Sequence, residues 1–188
     1  MKQNFETIMS TSNLIIFNKP FGVTSQFSGA KPNLSCYLSE KGFYPAGRLD
    51  KDSEGLLLLT NNGKLQNRIS DPKFKMKKTY WVQVEGAIDS NAVKQLTEGV
   101  DLRDGRTKPA KASPMECPLE KRSTEIRKRM SIPTSWIELT ISEGKNRQIR
   151  RMTAKVGYPT LRLFRKRIGP WSLADHAPGS YRVENINF

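Results

Sequence analysis

The sequence contains very few of the residues that bind soft metals or form disulfides. Its 188 residues include two cysteines and one histidine. Cys36 and Cys117 form no CxxC pair, and with His176 they would supply at most three scattered ligands, so we expect no structural zinc site. Two cysteines without a secretory leader are typical of a protein in a reducing cytosol, which predicts a cytoplasmic location.

Long apolar runs are also missing. The run at 14–17 is too short for the apolar core of a signal peptide and far too short to cross a bilayer. We therefore expect no membrane partner. Hydrophobic residues still make up 36% of the chain, and a chain of this length can bury a core without disulfide bonds or metals.

Acidic residues are scarce relative to basic ones. Asp and Glu number 18 against 32 Lys and Arg, which gives a formal net charge of +14. Such an excess favours a polyanionic partner, because each contact with a phosphate releases condensed counterions. A basic surface that only keeps the protein soluble is the plainer alternative.

The order of apolar runs and turn residues predicts an α+β domain with a mixed or antiparallel sheet and short helices. Residues 1–12 are polar and are interpreted as a tail that precedes a single domain at 13–188. Predicted strands lie at 14–18, 56–60, 80–84, 136–141 and 160–164, and predicted helices at 34–38, 64–70, 90–98 and 145–156.

The segment at 106–134 differs in composition from the rest of the chain. It holds four prolines, and its basic cluster consists of Lys121, Arg122, Arg127, Lys128 and Arg129. A segment of this kind is predicted to be a long loop, and long loops are usually functional or disordered.

The predicted helix at 145–156 offers the clearest surface for a nucleic acid. Arg147, Arg151 and Lys155 recur every four residues and so share one face. Residues 144–167 hold nine Lys or Arg and no acid. No neighbour in sequence offsets their mutual repulsion, whereas a phosphate-bearing partner would. A solvated charged face is again the alternative.

A second candidate segment runs from Gly47 to Gly55 and carries acids at positions 50, 52 and 54. The residues alone leave three interpretations open: a turn whose side chains bond to loop amides, a catalytic loop, or a divalent metal site on one face of an extended segment. The EF-hand pattern does not fit, since no acidic ligand ends a twelve-residue loop. Arg150 lies off the basic face and either stays on the surface or reaches inward to a carboxylate.

In their order, these segments resemble the pseudouridine synthases of the RsuA/RluA class. Three stretches carry the resemblance: GRLDKDSEGLLLLTNNG from Gly47 to Gly63, KTYWV from Lys78 to Val82, and EGKNRQIRRM from Glu143 to Met152. The flanking stretches at 17–20 and 156–160 also match, so the similarity covers residues 14–170. The resemblance implies the pseudouridine synthase fold, with an active-site cleft across the sheet.

The resemblance also implies an activity, which is the isomerisation of a uridine in ribosomal RNA of the large subunit without cofactor or metal. In the family pattern, Asp50 is the nucleophile, Arg150 is its ionic partner, and Tyr80 stacks under the uracil and assists proton transfer. Leu56 and Leu57 either line the base pocket or belong to the plain core.

The expected partner is large-subunit ribosomal RNA or a precursor ribosomal particle, bound by a monomer. Many members of the family carry an S4 module, and twelve preceding residues cannot hold one, so we expect the catalytic domain itself to select the RNA. The residues expected to contact RNA are Arg48, Arg147, Arg151, Lys155, Arg162 and Arg165. Two alternatives stay open: a non-catalytic RNA-binding module, and a metal-dependent nuclease that uses Asp50, Asp52 and Glu54.

Overall fold

A computed structural model describes residues 11–120, 122, 124–126, 129, 131–174 and 176–187. Two 3₁₀ turns, Leu34–Cys36 and Pro72–Phe74, accompany the longer elements. In chain order these are β1 (Thr11–Lys19), β2 (Tyr44–Pro45), β3 (Glu54–Thr60), α1 (Gly63–Ser70), β4 (Lys78–Glu85), α2 (Ser90–Glu98), β5 (Asp101–Leu102), β6 (Gly105–Arg106), β7 (Lys111–Met115), β8 (Thr134–Ile141), α3 (Gln148–Lys155), β9 (Thr160–Ile168), β10 (Trp171–Ser172) and β11 (Tyr181–Asn187).

Nine strands form one mixed sheet flanked by short helices, which confirms the predicted α+β fold. Seven of them follow the order β11-β1-β3-β9-β4-β8-β7, with β2 added to β3 and β10 added to β9, while β5 and β6 form a separate hairpin. β3 and β9 run parallel and pair Glu54 with Phe164 and Gly55 with Arg165. This short parallel contact brings the loop before β3 against the middle of β9.

Alternate residues of the central strands pack into two cores on opposite faces of the sheet. In β1, Ile15 and Phe17 belong to one core and Leu14 and Ile16 to the other. Helices α2 and α3 contribute to the first core and α1 to the second. All seven residues of β3 are buried, because both faces of this strand are covered, as its continuous apolar run predicts.

The first two helices begin at polar caps. The side chain of Asn62 accepts hydrogen bonds from the amides of Lys64 and Leu65 at the start of α1. The side chain of Asp89 accepts from the amide of Ala92 at the start of α2. Each cap satisfies amides that the helix leaves unpaired, which is why these boundaries could be read from sequence. No helix within the ranges described above is both long and apolar enough to cross a membrane.

The predicted N-terminal tail is too long by two residues. β1 begins at Thr11, and residues 11 and 12 pair with Asn187 and Ile186 of β11. β11 was not predicted from the sequence, so the strand partner that extends β1 was missed as well. Residues 1–10 lie outside the described residues.

The predicted loop at 106–134 contains a strand. β7 pairs with β8 at the edge of the sheet, and Pro114 is tolerated there because an edge strand need not donate every ladder hydrogen bond. Of the basic cluster, Lys121, Arg127 and Lys128 lie outside the described residues. The other two members form ion pairs, Arg122 with Glu54 and Arg129 with Glu85.

Candidate active site

Hydrogen bonds to neighbouring segments hold the loop that carries Asp50. The hydroxyl of Ser25 donates to the carbonyl of Leu49 at 2.6 Å and accepts from the amide of the same residue at 3.2 Å. The amide of Gly22 donates to the carbonyl of Lys51, and the amide of Ser53 donates to that of Asp50. Hydrogen bonds from the segment after β1 therefore hold the loop on both sides of Asp50.

Gly55 allows this loop to lie directly against β9. Its φ is +98°, and a Cβ at this position would come within 2.5 Å of the Arg165 carbonyl oxygen. A residue with a side chain would thus be strained and would push the two strands apart. The glycine of the loop motif is needed for the close approach of Arg165.

A cavity of about 420 Å³ opens beside the loop, in the size range of small-molecule sites. Asp50, Tyr80 and Arg165 all line it. Its apolar lining comes from Leu49, Ile141, Ile149 and Leu163. The cavity combines an acid, an aromatic ring, a cation and an apolar wall, which together can hold a planar base beside a carboxylate.

Arg165 is buried in this site and does not lie on the surface as predicted. Its Nε donates to the carbonyl of Leu56 at 2.7 Å, and its Nη1 donates to that of Arg48 at 3.2 Å. Its Nη2 is buried and has no hydrogen-bond partner within the described part of the chain. Two carbonyls thus fix the guanidinium in place at the wall of the cavity.

Arg150 does not pair with Asp50 as the family pattern implied. Its Nη2 donates to the backbone carbonyl of Asp52 at 2.7 Å and lies 3.4 Å from the Asp52 carboxylate. Arg147 is the residue that contacts Asp50, at 3.4 Å. The family pattern alone implied that pairing; in the structure α3 begins at Gln148, and Arg147, which precedes it, reaches the loop.

Arg147 precedes α3 in a left-handed backbone conformation, with φ +46°. The next residue, Gln148, is buried, accepts from the amide of Lys145 and donates to the carboxylate of Glu143. This turn directs Arg147 towards the loop, where its guanidinium donates to both carboxylate oxygens of Asp52 at 3.0 and 2.7 Å. The hydrogen bond from Arg147 holds the pKa of Asp52 below its ordinary value.

The three acids of the loop do not share one face, so the arrangement required by the metal hypothesis is absent. Asp50 lines the main cavity and Asp52 is bound to Arg147, whereas Glu54 points into a different cavity and pairs with Arg162 and Arg122. Within the ranges described, no three His, Cys, Asp or Glu side chains are grouped as metal ligands.

The predicted RNA-contacting arginines divide into buried and accessible residues. Arg162 and Arg165 are only 6% and 3% exposed, so the prediction that they form a surface is wrong. Arg151 is half-buried and donates to both oxygens of Asp104 at 2.7 and 3.2 Å. Arg48 and Lys155 are exposed. Acids that are distant in sequence therefore offset part of the positive charge of residues 144–167, a segment that holds no acid of its own.

Leu56 and Leu57 do not line the cavity. Both are fully buried, and they belong to the two different cores. The plain-core alternative is the correct one for this pair, because β3 is an interior strand with both faces covered.

Comparisons with known proteins agree with this geometry. The family model of RNA pseudouridylate synthases matches residues 13–155. The chain is 51% identical over 178 residues to the ribosomal large subunit pseudouridine synthase E of Xanthomonas campestris, covering 92% of this chain and 95% of that protein. It is 47% identical over 177 residues to the protein of the same name from Vibrio parahaemolyticus, covering 93% and 74%.

A solved structure is also similar. The crystal structure of a pseudouridylate synthase superposes with a TM-score of 0.78 at 30% sequence identity, covering 92% of this chain and 70% of that one. The likeness thus extends over most of the chain.

Proposed function

The chain belongs to the RNA pseudouridylate synthase family, and from this premise we propose that it converts one uridine of large-subunit ribosomal RNA to pseudouridine. The names of its relatives supply the substrate class, since the proteins that it matches at 51% and 47% identity are large-subunit synthases. The net charge of +14 fits a polyanionic substrate. The RNA is bound either free or in a precursor ribosomal particle, and the protein acts as a monomer.

The reaction needs no external reagent. The bond between C1′ and N1 of the uridine breaks, a bond between C1′ and C5 forms, C5 loses its proton, and N1 gains one. Atoms and electrons balance within the substrate, so no oxidant, reductant or carrier is consumed. We therefore propose that the protein works without cofactor or metal.

Asp50 is the proposed nucleophile. The observation that carries this assignment is that Asp50, Tyr80 and Arg165 line the same cavity. The Asp50 side chain is 38% exposed, so a substrate can reach it. A carboxylate can form a covalent intermediate that divides one difficult step into two easier ones, and here its attack would free the uracil to turn.

Tyr80 and Arg165 are proposed to hold the base during that rotation. An aromatic ring stacks on any base and contributes roughly 1–3 kcal/mol, which retains the uracil without fixing its orientation. The guanidinium of Arg165, held by two backbone carbonyls, supplies a fixed cation in the cavity that Asp50 also lines. Arg165 thereby takes the role that the family pattern implied for Arg150.

The test is to incubate the purified protein with a large-subunit ribosomal RNA transcript and map pseudouridine by sequencing. One uridine should be converted, and rRNA from cells that lack the gene should have lost pseudouridine at the same position. The Asp50→Asn variant should bind the transcript and give no product, while Asp101→Asn, an exposed acid in the β5–β6 hairpin, should keep full activity. Turnover by Asp50→Asn above background would refute the nucleophile.

The same incubation separates the alternatives. A non-catalytic RNA-binding module would give no product with any variant. A metal-dependent nuclease would shorten the transcript, and EDTA would stop it. We expect an intact transcript and unchanged turnover in EDTA.

A further inference from the structure

Two cavities meet at Arg147. Besides the main cavity, a shallow depression of about 370 Å³ lies on the outer side of the loop, lined by Phe21, Gly22, Asp50, Lys51, Asp52 and Arg147. Asp50 and Arg147 line both spaces. A strand that enters the main cavity and continues into the depression passes the two residues that line both spaces, Asp50 and Arg147.

We infer that the depression holds the nucleotide adjacent to the target uridine, and that Arg147 binds the phosphodiester that joins the two. In the free protein, the carboxylate of Asp52 occupies the guanidinium in place of that phosphate. This inference rests on the proposed function and adds a defined subsite to it.

The geometry of Arg147 suits a phosphate. Its Nη1 and Nη2 already donate to the two oxygens of Asp52 at 3.0 and 2.7 Å, and the same fork of donors fits two phosphate oxygens. Its side chain is 44% exposed, so an incoming strand can reach it. The turn at Gln148 limits its movement, which fixes the guanidinium between the two cavities.

Other charges around Arg147 keep the subsite positive when Asp52 is displaced. The Arg150 side chain is 14% exposed and donates to the backbone carbonyl of Asp52. This hydrogen bond does not involve the Asp52 carboxylate, so it remains when that carboxylate is displaced. Its Nε is buried without a hydrogen-bond partner in the described part of the chain. Lys51 is exposed on the wall of the depression. Phe21 also lines the depression, and the Arg122 guanidinium lies 3.9 Å from the centroid of its ring.

Asp52 therefore competes with the RNA, and its removal should tighten binding. This direction distinguishes the inference from a structural role, because the loss of a merely supporting ion pair would weaken binding. The contact with Asp50 at 3.4 Å is longer than those with Asp52, so Asp52 is the main competitor.

The experiment is a double-mutant cycle read by equilibrium binding of the large-subunit transcript over a series of salt concentrations. The four proteins are the wild type, Asp52→Asn, Arg147→Gln and the double variant. Asp52→Asn should tighten binding about five-fold and steepen the salt dependence by about 0.7, the value for one phosphate of a single strand. In the Arg147→Gln background, the same change should have no such effect, because the freed cation is gone.

The control is Asp101→Asn, which also removes one acid from a contact with an arginine, Arg106, that is not among the residues expected to contact RNA. Binding that tightens equally in both variants would show an effect of net charge alone and overturn the inference. Unchanged or weaker binding by Asp52→Asn, with a melting temperature like that of the wild type, would also overturn it.

A second measurement does not depend on any variant at position 52. Once the target uridine is mapped, a transcript with a neutral methylphosphonate linkage beside it should bind wild type and Arg147→Gln equally. A difference that persists would refute the phosphate contact. Binding requires no turnover, so a failure of the proposed activity leaves the cycle interpretable.

Discussion

The guanidinium of Arg162 contacts both carboxylate oxygens of Glu54, with Nη2 at 2.8 Å and Nε at 2.9 Å. The two side chains are only 7% and 9% exposed, and Arg122 adds a third contact at 3.1 Å. Glu54 begins β3 directly after the loop that carries Asp50. The ion pair therefore fixes the C-terminal end of the loop that carries Asp50.

Removal of one partner of this pair should destabilise the protein strongly. Glu54→Ala leaves a buried guanidinium unpaired, and the free energy of unfolding should fall by about 3–5 kcal/mol, as measured by urea denaturation. Asp101→Ala is the control, because its pair with Arg106 is more than half exposed on both sides and should contribute less than about 1 kcal/mol. Equal losses in the two variants would contradict the role of Glu54.

The burial of this ion pair was not predicted from the sequence. Strands and helices with local signals, such as the apolar run of β3 and the capped α1, were predicted because their patterns depend on neighbouring residues. Arg162 and Arg165 were assigned to the surface because arginines in a basic run usually are exposed. Their partners, Glu54 and the carbonyl of Leu56, lie more than one hundred residues away, so no local pattern reveals that they are buried.

In the candidate site, family motifs located Asp50 and Tyr80 correctly in one cavity, although their roles stay predictions. The partner of Asp50 was carried over from the family pattern and did not come from the helical projection. In the structure Arg150 bonds to the backbone carbonyl of Asp52, whereas Arg147, in a left-handed conformation before α3, reaches Asp50. Gly55 lies opposite Arg165 and allows a close approach of the two backbones. This role of the glycine follows only once the pairing of β3 with β9 is known.

Arg165 should matter more for turnover than Arg150. Arg165→Lys keeps the charge but cannot reach both carbonyls and the cavity with one ammonium. We expect the single-turnover rate at saturating RNA to fall at least about 100-fold, the loss found when one positioned donor is removed. Arg150→Lys should lower it less than about ten-fold, because the carbonyl of Asp52 stays within reach of a lysine. A larger loss of the single-turnover rate in Arg150→Lys than in Arg165→Lys would support Arg150 as the ionic partner of Asp50, as the family pattern implied.

Tyr80 can be tested for stacking and proton transfer separately. It is 8% exposed and lies in the wall of the cavity. Tyr80→Phe keeps the ring, so RNA affinity should match the wild type, whereas loss of the hydroxyl should lower the single-turnover rate at least about 100-fold, as expected of a general acid or base. Tyr158→Phe, in a half-buried tyrosine beside Gly86, is the control and should change neither quantity. A fully active Tyr80→Phe would limit the residue to stacking.

The last prediction concerns Lys19, which is fully buried at the end of β1. Burial lowers the pKa of its ammonium from 10.5 to about 8, and although Glu54, Asp52 and Asp50 oppose this shift, Arg165 adds to it. Its Nζ donates to the carbonyls of Pro20 and Val23 at 2.9 and 2.7 Å. A neutral amine still has two N–H donors, so both hydrogen bonds survive deprotonation.

Stability should therefore rise with pH in the window between about pH 8 and 10.5. Within it the unfolded chain holds a proton on Lys19 that the folded protein has lost, and stability increases wherever the unfolded state binds more protons. At about 1.4 kcal/mol for each unit of pKa, the gain is about 3 kcal/mol. Below about pH 8 both states are protonated, and the contribution becomes constant.

The measurement is the free energy of unfolding of wild type minus that of Lys19→Met, by urea denaturation from pH 7 to 10.5. Groups that titrate in both proteins, including the half-buried Lys78, cancel in this difference. The difference should be level to about pH 8 and then rise, even though Lys19→Met is less stable throughout because two carbonyls lose their donor. Lys31→Met, at an exposed position, should give a level difference across the whole range. A level difference for Lys19→Met would mean that the buried amine keeps its proton to high pH, and that the acids around Asp50 outweigh the cost of burial.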